Sequence, residues 1–289
     1  TKGNPAKLLL QFTIPLLIGN VFQQLYNMVD SIVVGNFVGE NALGAIGTTN
    51  SLQFFFFSLV LGLSVGIGIV VSQYFGSSDE ENVKNTIGNA IWAISICSVL
   101  MSLVGFFLAR PALVLMNTDP AILEDAVIYL KVTAIGFICV GMYNGVSSIL
   151  RALGDTKTPL TFLIVVLDLL FVLVFKWGVV GVAVATAFAQ LISAVACIIY
   201  AVKCTTFFRL TKENLKIKKA ILYKCLQLGI PVALQNALIA VSLIVLQGVV
   251  NGFGATFTTA FTVVARIEQL VQQPFMSLGS AISTFTGQN

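Results

Sequence analysis

The stretch IGNAIWAISICSVLMSLVGFFLA, residues 87–109, carries no aspartate, glutamate, lysine or arginine. As an α-helix it is roughly 35 Å long at 1.5 Å per residue, enough to cross a hydrocarbon layer about 30 Å thick. A soluble helix of that length would need a charged or polar face. This one carries no charge and only a few small polar residues, so it reads as a membrane span.

Seven further stretches meet the same test, at 8–34, 53–75, 126–150, 158–175, 177–202, 226–250 and 256–285. The one at 158–175 is short and joins the next through Lys176 and Trp177. Composition agrees with lipid as the solvent. Of 289 residues, 57% are hydrophobic and 10% charged, where a soluble domain carries about 25% charged residues. The expected fold is therefore an all-α, polytopic bundle of transmembrane helices.

Most of the lysines and arginines fall between spans. With the N-terminus in the cytoplasm, the inner segments hold Lys2, Lys7, Lys84, Arg151, Lys157 and the basic run from Lys203 to Lys224. The outer segments hold Arg110, Lys131 and Lys176. This bias sets an N-in orientation in the cell membrane. It does not resemble the basic stripe of a nucleic-acid binder, and no nucleic-acid partner is expected. The stretch 203–224 reads as an amphipathic linker and topology determinant lying near anionic headgroups. Residues 1–7 are polar and the first span is longer than a signal core, a pattern unlike a cleavable leader.

A weak internal repeat divides the chain. Ile14-Pro15 with Asn20 recurs as Ile230-Pro231 with Asn236, and further on Gly62 aligns with Gly279 and Gln73 with Gln288. Six spans separate the copies, so both run in the same direction, a known design of secondary transporters. The expected organisation is a first lobe at 1–202, a linker at 203–224, and the first two helices of a second lobe at 225–289. A chain ending at the counterpart of Gln73 reads as truncated.

Enzyme chemistry finds little support. The chain has no histidine, which excludes histidine catalysis and ligation, and Cys97, Cys139, Cys197, Cys204 and Cys225 lack the CxxC spacing of a metal or redox site. No nucleophile, base and orienting group come together in the pattern. The glycines of GLSVGIGIVVSQYFG lie in an apolar helix with no strand before them, so they read as helix packing rather than a phosphate loop.

The polar residues inside spans carry the functional signal. An aspartate at mid-span costs about 2.5–3.5 kcal/mol on insertion scales, and Asp30 and Asp168 both sit in spans. Asn20, Gln23, Asn27 and Asp30 recur at three- and four-residue spacing and so share one helix face, with Tyr26 beside them. That face is expected to line a polar cavity. The plainer alternative is hydrogen bonding between helices. A carboxylate in such a place can exchange a proton or a sodium ion. Thr186 lies among small residues in the sixth span, where packing and ligation are both open. Arg266 and Glu268 are two apart in the eighth, do not face each other, and fit either ion pairing or the cavity.

The link RALGDTKTPL, 151–160, resembles the loop between the fourth and fifth helices of the multidrug and toxic compound extrusion family. The stretches IPLLIGNVFQQLYNMVDSIVVGNFVGENALGAIG and GLSVGIGIVVSQYFGSSD resemble its first two helices. The resemblance implies twelve helices in two six-helix lobes, of which this chain holds eight. It also implies a monomeric plasma-membrane antiporter that exports drugs or organic cations against inward Na+ or H+, with no other cofactor. Asp30, Asp168 and Thr186 correspond to its cation site; the polar stripe and the eighth span supply the candidates for the substrate cavity, Asn20, Gln23, Tyr26, Asn27 and Glu268. Ile164 stands where relatives carry an asparagine, and the span 158–175 is a few residues short; a deletion there would weaken a sodium site or favour protons. Three rivals remain: a lipid-linked saccharide flippase of related fold, which needs a cationic cavity; a non-transporting scaffold or receptor; and a passive channel, which could not move cargo uphill.

Overall fold

The computed structural model describes residues 5–37, 40–116, 118, 120–155, 178–251 and 255–289. These form seven long helices: α1 (Pro5–Phe37), α2 (Glu40–Gly76), α3 (Glu80–Leu115), α4 (Pro120–Ala152), α5 (Gly178–Cys204), α6 (Lys219–Asn251) and α7 (Ala255–Gln288). A single 3-10 turn, Thr206–Phe208, lies between α5 and α6. No strand occurs among the described residues. Seven of the eight expected spans lie within these helices; the one at 158–175 falls outside the described residues.

Five of the helical stretches are long and apolar enough to cross a membrane. Their packing is that of a protein dissolved in lipid. Along α3 the buried side holds Asn85, Thr86, Asn89, Ser98 and Ser102, while Ile96, Leu100, Leu103 and Phe107 are exposed. In water that arrangement would be unstable; in hydrocarbon it turns the apolar side chains to lipid and the polar ones inward, where Asn85 and Asn89 are met by Asn214 and Lys218 N of the α5–α6 connection. Buried hydroxyls largely bond back to their own helix, as Ser64 does to Val60 O at 2.8 Å and Thr133 to Tyr129 O at 2.9 Å.

The central helix is α2. It packs most extensively against α6 and α4, and also against α3 and α7. Two apolar cores form along it. Toward its C-terminal end, Leu63, Ile67, Val70 and Val71 meet Val83, Ile87 and Ile94 of α3, Ile149 of α4, and Ile221 and Cys225 of α6. Toward its N-terminal end, Leu52 and Phe56 meet Leu113 of α3 and Leu130, Ala134 and Phe137 of α4. The first turns of α6 thus share a core with α2 and α3.

Helix ends follow local chemistry. At the end of α4, Asp155 N donates to Leu150 O and Gly154 N to Arg151 O, with Gly154 at φ +92°. This is a Schellman stop, whose left-handed position favours glycine. The end of α2 repeats it with Asp79 N to Tyr74 O and Ser78 N to Phe75 O, but there the left-handed residue is Ser78, at φ 61°. Asp79 then caps α3, its carboxylate accepting from Asn82 N at 3.1 Å and from Asn82 Nδ2 at 2.7 Å. These two bonds hold its carboxyl below the usual aspartate range.

Candidate functional site between the repeats

The two copies of the repeat meet crosswise, α1 against α7 and α2 against α6, with α2 also touching α7. The two seams are built from different chemistry. On the α2–α6 side, Gly62 and Gly66 face Ala233 and Gly229. Each pair is four residues apart, the small-xxx-small spacing that lets helix backbones touch. A Cβ at Gly66 would lie 2.6 Å from Gly229 Cα and 2.7 Å from Cys225 O. No side chain fits there without moving a helix.

On the α1–α7 side the contact is polar. Asn20 Nδ2 donates to Ser277 Oγ at 2.9 Å, and Gln24 Nε2 donates to Gln269 Oε1 at 2.7 Å. Ser277 Oγ in turn donates to Gln273 O at 2.8 Å. Asn20 is half-buried, Gln24 and Ser277 are buried, and Gln269 is exposed. The end of α7 is also tied to α4 and α2, where Gln288 Nε2 reaches Ala152 O at 2.7 Å and Gly287 lies against Ser72.

Of the residues singled out in the sequence, the structure places Asn20 on this inter-repeat seam. Glu268 lies on α7 beside Gln269; it is exposed and accepts from Gln272 Nε2 at 3.0 Å. Thr186 is half-buried in α5. Gln23, Tyr26, Asn27 and Asp30 lie on α1 beyond Asn20. Their side chains, and all of Asp168, are outside the described residues. The carboxylate pair is therefore not brought together by anything described.

Sequence reasoning passed over Gln24, Gln269 and Ser277. A signal was present: Gln269, Gln273 and Ser277 recur every four residues, a polar stripe as regular as the one on α1. Among the described residues no group of three or more histidine, cysteine or acidic side chains could hold a metal. A cleft of about 320 Å³ opens at the α2–α3 turn, lined by Phe75, Asp79, Glu80, Val83, Phe207 and Gln288. It contains none of the residues predicted from the sequence.

Known proteins share this architecture. The family described as MatE matches residues 15–177. The chain is 31% identical to "Probable multidrug resistance protein YpnP" of Bacillus subtilis, over 100% of this chain and 66% of that protein. It is 23% identical to "Probable multidrug resistance protein NorM" of Thermotoga maritima, over 98% of this chain and 62% of that protein. A superfamily transporter from Pyrococcus furiosus, whose structure is described by a reversed polarity of its binding pocket, superposes with a TM-score of 0.91 at 26% identity. That match covers 99% of this chain and 65% of the other. An outward-facing multidrug resistance transporter matches with a TM-score of 0.86, also at 26% identity, over 99% of this chain and 65% of its own. The chain thus spans about two thirds, or slightly less, of the length of these relatives.

Proposed function

The chain belongs to the MatE family, and from that premise we propose that it works as part of a secondary active efflux antiporter. It exports drugs or organic cations by alternating access, driven by inward Na+ or H+. The observation that carries this reading is the crossed contact of the repeats. A twofold that exchanges α1 with α6 and α2 with α7 turns the α1–α7 seam into the α2–α6 seam. Two like-directed halves meeting on topologically related seams can rock about a site near the membrane midplane, as alternating access requires. The names of the relatives as multidrug resistance proteins support drugs as cargo.

In this mechanism Asp30, Asp168 and Thr186 hold the coupling cation, and Asn20, Gln23, Tyr26, Asn27 and Glu268 border the cargo. Ion and cargo must differ in affinity between the inward- and outward-facing states, because a ligand shifts an equilibrium only by its differential binding. The protein acts as a monomer in the cell membrane with its N-terminus in the cytoplasm. In proteoliposomes, an imposed Na+ or proton gradient should move a fluorescent organic cation uphill, and Asp30→Asn should abolish that movement while leaving the protein folded. Equal movement in both proteins, or none under either gradient, would sink the proposal.

A further inference from the structure

The connection between α5 and α6 is a fixed strap along α3 rather than a loose tether. Phe207 packs edge-on against Phe75 with ring centroids 5.7 Å apart. Thr211 donates its N–H (3.0 Å) and hydroxyl (2.7 Å) to Asn214 Oδ1, and Asn214 Nδ2 donates to Asn85 Oδ1 at 2.9 Å. Trp92 Nε1 donates to Leu215 O, and Lys218 N donates to Asn89 Oδ1 at 2.9 Å. Backbone and asparagines therefore face α3.

What faces away is basic and apolar together. Arg209, Lys212, Lys216 and Lys219 are exposed. Interleaved with them are exposed Ile217 and Tyr223, and Trp92 of α3 is 49% exposed although its indole N–H is bonded to the strap. From 203 to 224 there are seven lysines and arginines, and Glu213 is the one acid. Lys218 is taken up by Glu81 at 3.8 Å and Lys224 by the Tyr74 ring at 4.7 Å. The outward lysines have no such partner among the described residues.

We propose that this strap is a docking surface for anionic phospholipid headgroups, with Lys212, Lys216 and Lys219 meeting the phosphates and Trp92, Ile217 and Tyr223 seated in the interfacial layer. A basic segment beside a span gains roughly 1 kcal/mol per lysine near an anionic surface, about fivefold in affinity each. Because the backbone is pinned, the lysines are displayed without the ordering cost of a free loop. A mere topology determinant would act during insertion and keep no lipid afterwards. The inference needs only a membrane-embedded chain and is independent of transport.

The test is native mass spectrometry of the purified protein in detergent with phosphatidylglycerol or phosphatidylcholine. The wild type should retain phosphatidylglycerol at least tenfold better. The variant K212Q/K216Q/K219Q should lose that preference, and K212R/K216R/K219R should keep it, both with unchanged melting curves. Equal retention of the two lipids, an unaltered preference in the glutamine variant, or displacement by millimolar inorganic phosphate would each overturn the proposal.

Discussion

Asn85 and Asn214 lie 129 residues apart in sequence, and Asn214 Nδ2 donates to Asn85 Oδ1 at 2.9 Å between two buried side chains. Asn214→Ala leaves Asn85 without that donor and Thr211 without its acceptor. Removing one partner of a buried hydrogen bond costs about 1–3 kcal/mol. The melting temperature in detergent is expected to fall by several degrees. Asn85→Ala should cost a similar amount and the double variant less than the sum, since both remove one bond. Additive losses would show that the strap is not held by this pair.

The α2–α6 seam makes a sharper demand. Gly66 lies against the backbone of Gly229 and Cys225, where no flexible side chain is available to yield. Gly66→Ala is therefore expected to cost about 1–3 kcal/mol as overpacking, and to part the seam locally. Cys225, 1% exposed in the shared core, should then react faster with a maleimide, as read by peptide mapping. An unchanged melting curve and labelling rate would mean that the helices do not touch there.

The two Schellman ends give predictions of opposite sign. Ser78 occupies a left-handed position that costs a non-glycine residue about 1–2 kcal/mol, so Ser78→Gly should raise the melting temperature. Gly154→Ala should lower it by a comparable amount, since Gly154 has φ +92°.

The carboxylate of Asp79, next to Ser78, adds a pH dependence. Its folded pKa is depressed by the Asn82 bonds. Its contribution is thus present above the ordinary value near 3.8 and is lost as pH falls through the lower folded value. Asp79→Asn keeps a capping side chain but cannot titrate. It should flatten the melting temperature below pH 4 relative to wild type.

How much of this could be read from sequence differs by kind of feature. Span positions were legible because about 20 apolar residues have few alternatives. The ends of α2 and α4 fall within two residues of expectation, at Gly76 and Ala152, because turn-forming residues follow them. The start of α2 was not legible. The helix α2 begins at Glu40, 13 residues before its predicted span at 53, because ENALGAIGTTNS is polar enough to end a hydropathy run and not enough to end a helix. Asn20 was legible as part of a polar stripe, but its partner Ser277 was not, since nothing in one sequence says which stripe meets which. Asn214 was hidden for the same reason: in a basic linker a lone asparagine reads as solvated.

The polar seam yields the last prediction. Gln24 is buried and makes a further interaction besides its bond to Gln269, which is itself exposed. Gln24→Leu should therefore destabilise more than Gln269→Leu. Hydrogen bonds between helices in a membrane couple on average by about 0.6 kcal/mol and at most about 1.7. A double-mutant cycle on thermal or denaturant stability is expected to return a coupling near the lower figure, because the exposed Gln269 amide has competing partners. A coupling of zero would mean that α1 and α7 are not joined there in the folded protein, which would leave the glycine contacts of α2 and α6 as the principal attachment between the repeats.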